Sequence, residues 1–138
     1  MNATLSRRPL RRFWGWGVAC EHLTQEESAR IGMMVQMLGG QITDRTEPQV
    51  SDFTLPAPRI APPAALAAMF SDTPLDRLNH ALGKSYADLA RMWLRQVPHV
   101  PDWVAYPDDE QAVIDILDWA SRHNVAVIPY GGGSSVCG

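Results

Sequence analysis

The sequence predicts an α+β fold. A mainly helical region spans residues 1–96, and residues 97–138 hold a strand, a helix, a second strand and a glycine-rich loop. Three observations predict it. In the first region, apolar residues recur at helical spacing between start and stop signals. Five prolines crowd residues 48–63 and break that region in two. From Val97 onward, short β-branched and aromatic runs flank one amphipathic helix.

The first helix is expected over Thr24–Leu38, "TQEESARIGMMVQML". Thr24 can cap it, Glu27 stands three residues later as the capping-box partner, and Gly39 supplies the left-handed stop. Ile31, Met34, Val35 and Leu38 mark one apolar face, which is expected to meet the core. Pro48, Pro56, Pro58, Pro62 and Pro63 remove backbone donors and fix φ, so 48–63 is expected to be an extended connector. Next comes "SDTPLDRLNHALG", with Asp72 or Thr73 as cap, Pro74 in the first turn and a stop at Gly83; "SYADLARMWLRQ" restarts with Ser85 and Asp88 in capping-box spacing. Two short helices hinged at Gly83–Lys84 result. His80, Lys84, Ser85 and Arg91 read as caps and surface polar residues rather than as ligand groups.

"VPDWVAYP" reads as a short strand between Pro101 and Pro107. "DDEQAVIDILDWASRHN" is an amphipathic helix with Asp108 as cap, Gln111 as its partner, Val113, Ile116, Leu117 and Ala120 on one face, and Asn124 as a left-handed end. "VAVIPY" follows as a short buried strand, and parallel pairing would make a right-handed βαβ-type unit.

Composition removes several function classes. The chain has 138 residues, 46% of them hydrophobic, and suits one modest core. Its net charge of -3 provides no basic face for nucleic acid. No apolar stretch approaches the ~20 residues of a membrane-spanning helix, so no integral membrane segment is expected. Arg7, Arg8, Arg11 and Arg12 form a basic cluster like that of a twin-arginine export signal, but the apolar segment of about 7–15 residues that such a signal needs does not follow. Cys20 and Cys137 are far apart and form no CxxC, which fits neither a disulfide framework nor a zinc site. A reducing, cytoplasmic setting is the expectation. No metal ligands are assigned.

The chain's last residues are "AVIPYGGGSSVCG". Gly131, Gly132 and Gly133 can adopt φ > 0 and admit close approach of another molecule. Their N–H groups could form an anion-binding nest to which Ser134 and Ser135 add hydroxyls, with a phosphate or pyrophosphate as target. On pattern alone a flexible tether is equally open. Neither the lysine of a P-loop nor the GxGxxG of a dinucleotide fingerprint is present.

From Val97 to Gly138 the chain resembles the start of the flavin domain of vanillyl-alcohol oxidase-type flavoproteins, the PCMH-type FAD domain. Pro101, Val104, Pro107, Ala120, Pro129, the three glycines and Ser135 fall in that family's order and approximate spacing. The resemblance implies FAD as cofactor, with its pyrophosphate held by the loop Pro129, Tyr130, Gly131, Gly132, Gly133, Ser134 and Ser135. Upstream, "RRFWGWG" and "DRLNHALGKSYADLARMWLRQ" are similar to the N-terminal region of alkylglycerone-phosphate synthases, also called alkyldihydroxyacetonephosphate synthases, and their bacterial relatives. His80, Gly83, Ser85 and Asp88 match an H-x-x-G-x-S-x-x-D element there. One departure is that Arg95-Gln96 runs directly into "VPHVPD", where the family tends to carry R-x-G and further residues. Trp14 and Trp16 are expected to pack rather than to stack on a ligand.

The resemblance implies an FAD-dependent enzyme that exchanges acyl for alkyl on dihydroxyacetone phosphate in ether-lipid synthesis. An oxidase or dehydrogenase of hydroxy acids would share the loop, and a non-catalytic remnant or interaction module would use the glycines as a tether. The substrate would be lipid-like or a hydroxy acid. The family's substrate-acting groups lie in later segments, so no catalytic residue is assigned, the chain is expected to be an N-terminal piece inactive alone, and its isolated loop is expected to be mobile.

Overall fold

The computed structural model describes residues 11–19, 22–41 and 46–135. Cys20, Cys137, Arg7 and Arg8 lie outside them. Helix α1 is Gln25–Met37, and its signals act as read: Thr24 and Glu27 form the capping box, and Gly39 takes φ 74°. Its apolar face, however, meets no core. No α1 residue is buried, and Met37 is 87% exposed. Capping is a local signal that survives without a partner, whereas burial needs a second surface, and none of the described residues covers this helix.

The proline-rich connector contains one 3₁₀ turn, Val50–Asp52, and no strand. A second 3₁₀ turn, Ala67–Met69, leads into β1, Phe70–Ser71. Helix α2 is Pro74–Asn79, capped by the Thr73 side chain and with Pro74 in its first turn. It ends at His80 rather than at Gly83, so residues 80–84 form the link to α3, Tyr86–Trp93, whose cap is Ser85. Strand β2 is Val104–Ala105 and α4 is Glu110–Arg122.

Two corrections concern the last unit. Strand β2 pairs antiparallel with β1, Phe70 opposite Ala105 and Ser71 opposite Val104, and residues 125–130 have no strand ladder among the described residues. The hydrogen-bonding edge of β2 is met by a two-residue strand too short to signal itself in the sequence. The α4 cap is Asp109, which accepts from the Ala112 N–H, one residue later than read. Gln111 donates to Asp115 instead. Ile116, Trp119 and Ala120 are buried, while Val113 and Leu117 remain about half exposed. Asn124 does take the left-handed turn, φ 54°.

Burial concentrates in two clusters. Leu66, Ile116, Trp119 and Ala120 lie beneath α4 against Phe70 and Ala105. Phe13, Leu78 and Met92 gather α2, α3, the connector and the N-terminal turn. That turn is the "RFWGWGV" segment, closed by an antiparallel bridge between Arg11 and Val18. Trp14 packs edge-on against Trp93, as expected, but Trp16 is 55% exposed. Buried Arg77 ties α2 to the connector and to the segment before β2, donating Nε to the Pro101 carbonyl at 2.7 Å and Nη1 to the Pro56 carbonyl at 2.8 Å.

The shortened link before "VPDW" has a local explanation. Arg95 takes φ 58°, a backbone usually left to glycine. Its guanidinium donates to the Trp93 and Thr46 carbonyls and to Asp52, interactions that hold the turn without a glycine.

Candidate functional site

The glycine loop lies against the turn between α2 and α3. Tyr130, just before the glycines, reaches back about fifty residues, and its hydroxyl is shared between the Asn79 carbonyl at 2.9 Å and the Leu82 carbonyl at 3.2 Å. Its ring sits 4.6 Å from the His80 imidazole. The imidazole is itself held, with Nδ1 2.7 Å from the Asp76 carbonyl, which places the proton on Nδ1. On its other side His80 meets Tyr106 edge-on at 5.9 Å. Burial pushes the Tyr130 phenol above its usual range; Asp88 adds to this and Arg11 opposes it.

The far end of the loop is seated as well. The Ser135 side chain occupies the space a Cβ on Gly83 would take, beside the Asp88 carboxylate. Gly133 takes φ 68°, and a Cβ there would run into the Tyr130 ring. Gly131 and Gly132 differ: a Cβ on either would meet nothing, and both face solvent. Among the described residues no hydrogen bond engages the N–H groups of Gly131, Gly132, Gly133 or Ser134. Backbone donors with no partner among the described residues, two of them on glycines open to solvent, are of the chemical kind that binds an anion.

Three of the H-x-x-G-x-S-x-x-D residues meet the loop: His80 packs tilted against Tyr130, Gly83 leaves room for Ser135, and Asp88 lies beside it, while Ser85 caps α3 and donates to Asp88 at 2.8 Å. Lys84 works elsewhere. Its amine donates to the Arg12 and Phe13 carbonyls at 3.0 and 2.9 Å, pinning the tryptophan turn. Arg91 pairs with Asp88 and is half exposed. A small network was not legible beforehand: Asp76 accepts from Tyr106 at 3.0 Å, from Ser71 and from Thr73, joining α2 to both short strands. These partners lie 3 to 30 residues apart, a spacing without periodicity.

Comparison with known proteins places this geometry. Residues 101–138, the stretch that carries β2, α4 and the glycine loop, match the FAD binding domain family. This stretch is therefore similar in type to flavin-binding domains, and FAD is the cofactor indicated. The particular relatives are alkyldihydroxyacetonephosphate synthases: the protein of that name from Dictyostelium discoideum is 37% identical over 73 residues, 53% of this chain, and that from Trypanosoma brucei brucei 40% identical over 62 residues, 45% of it. A solved alkyldihydroxyacetonephosphate synthase in crystal form P1 superposes over 91% of this chain with a TM-score of 0.74 and 26% identity. A second, in form P212121 and 24% identical, shares the fold at a TM-score of 0.72. The chain spans 12% and 10% of the length of the two curated relatives, and 29% and 28% of the two solved chains.

Proposed function

We propose that Pro129–Ser135 forms one wall of an FAD site and holds the cofactor's pyrophosphate through backbone N–H groups. The observation that carries this is the set of amides at Gly131, Gly132, Gly133 and Ser134 that have no hydrogen-bond partner among the described residues, on a loop whose two ends are seated. FAD bound there would supply the flavin chemistry; the chain's own residues hold its anionic centre and admit its close approach at the two open glycines. Residues 97–138 are the opening of that domain, and residues 1–96 the region that supports it. The chain contributes this wall to an activity like that of alkyldihydroxyacetonephosphate synthases, in which the acyl group of acylated dihydroxyacetone phosphate is exchanged for a long-chain alcohol. This reading of activity and substrate rests on the named relatives.

One loop offers about 3–5 N–H bonds at a net ~1 kcal/mol each, so the chain by itself binds FAD only at around millimolar concentration. The test is an amide-shift titration of the isotope-labelled chain with FAD and with riboflavin, which lacks the pyrophosphate. FAD is expected to move the amides of Gly131–Ser134 while riboflavin leaves them in place. Equal response to both, or none at millimolar FAD, would remove the pyrophosphate assignment.

A further inference from the structure

We infer that Tyr130 is a positioning residue for the glycine loop, and that the α2–α3 turn of the N-terminal region is its seat. Three contacts converge on this. The tyrosine hydroxyl is shared by two carbonyls, that of Asn79 at the end of α2, where helix geometry leaves acceptors unpaired, and that of Leu82 in the link to α3. The ring is covered on one side by His80, which is itself fixed by its bond to the Asp76 carbonyl. Gly133 bends at φ 68° so closely over the ring that no side chain fits between them.

The consequence is a division of labour among the three glycines. Gly133 is glycine because Tyr130 lies beneath it, while Gly131 and Gly132 are left open on the side away from the seat. Ser135, lodged at Gly83, closes the arrangement from the other end. The chain thus supplies seats for both ends of the loop from its own residues, which speaks for an ordered loop where a mobile one was expected. It also makes the N-terminal region part of the cofactor site without touching the cofactor. Preorganisation of this kind lowers the ordering cost of binding.

The inference rests on the FAD reading only for its purpose; its geometry is testable without flavin. The measurement is the backbone order parameter of Gly131–Gly133 in the full chain, for the native sequence, Tyr130→Phe and Tyr130→Ala, with the α4 amides as internal reference. Native values of about 0.8 are expected, falling below about 0.6 in Tyr130→Ala and lying between in Tyr130→Phe, with α4 unchanged. Glycine values below about 0.6 in the native chain, or equal values in all three, would overturn the seat. The affinity of the same three proteins for FAD is then read by amide shifts, with a weakening of about 3- to 10-fold expected for Tyr130→Ala. A rigid native loop that ignores FAD would sink the flavin reading and leave the seat standing, whereas a mobile loop that binds FAD equally in all three would do the reverse.

Discussion

Arg59 and Asp102 join the proline connector to the start of the flavin-type segment through a forked contact. The guanidinium donates Nη2 to one carboxylate oxygen at 2.7 Å and Nε to the other at 3.1 Å, and the Arg59 backbone N–H adds a third bond at 2.8 Å. The Arg59 side-chain bonds, helped by its backbone bond and by the charges of Arg59 and Arg77, hold the Asp102 carboxyl below its usual range although burial opposes them. Because the folded-state value is depressed, the contact stabilises the chain above the ordinary carboxylate range, and that contribution is lost as pH falls through the folded value. Arg59 is 82% exposed, so solvent limits the pair to about 1 kcal/mol. Asp102→Asn is expected to lower the unfolding free energy read from urea denaturation by that amount at pH 7. The gap to the native chain should narrow below about pH 4, and a gap independent of pH would refute the charge-based account.

Leu78 is 1% exposed between Phe13 and Met92, at the centre of the cluster that carries α2. Leu78→Ala removes three buried carbons and leaves a cavity in a core with few other fully buried residues. A loss of about 2–4 kcal/mol is expected by urea denaturation. Since Asn79 and Leu82 follow this position by one and four residues, the same variant should also loosen the loop amides at Gly131–Gly133. Their order parameters staying at native values in the folded fraction would separate the core from the seat.

What was legible in the sequence follows from the range of each signal. Thr24 with Glu27, Thr73 with Pro74, and Ser85 are contacts within one helical turn, and each was readable. So was the Pro129–Ser135 loop, since three glycines after an apolar run constrain backbone chemistry locally. Contacts across 43 to 79 residues were not: Arg59 with Asp102, Trp93 with the Trp14 carbonyl, and Tyr130 with Asn79 depend on how the elements meet. The β1–β2 pair escaped because two residues carry no periodicity. His80 had the right neighbours in its motif, but its role as a platform needed Tyr130 to arrive from the other end of the chain.

Helix α1 shows the limit of periodicity as evidence for burial. Leu38 is 81% exposed in spite of its place on the expected apolar face, and its neighbour Met37 is 87% exposed. Met37→Lys and Leu38→Lys are therefore expected to shift the unfolding free energy of the chain by less than about 0.5 kcal/mol. A loss of 2 kcal/mol from either would mean that the helix is packed after all.

Lys84 is the sole lysine of the sequence, so its amine can be followed without interference from another side chain of its kind. Burial, with Arg11 adding to it, pushes its pKa down from 10.5 to about 8. The neutral amine keeps two N–H donors, enough for the carbonyls of Arg12 and Phe13 at 3.0 and 2.9 Å. A lysine whose folded value lies below its unfolded one binds fewer protons in the folded chain across the interval between them. Stability then rises with pH from about 8 toward the ordinary lysine range, and the cost of burying the cation is fully present below about 8. Two measurements follow. Acylation of the side-chain amine should reach half its maximal rate near pH 8, and the urea midpoint of the native chain should rise between pH 8 and 10 relative to Lys84→Met. Half-maximal acylation near 10.5, with parallel urea curves for the two proteins, would show the amine to be solvated and the tryptophan turn to be held without it.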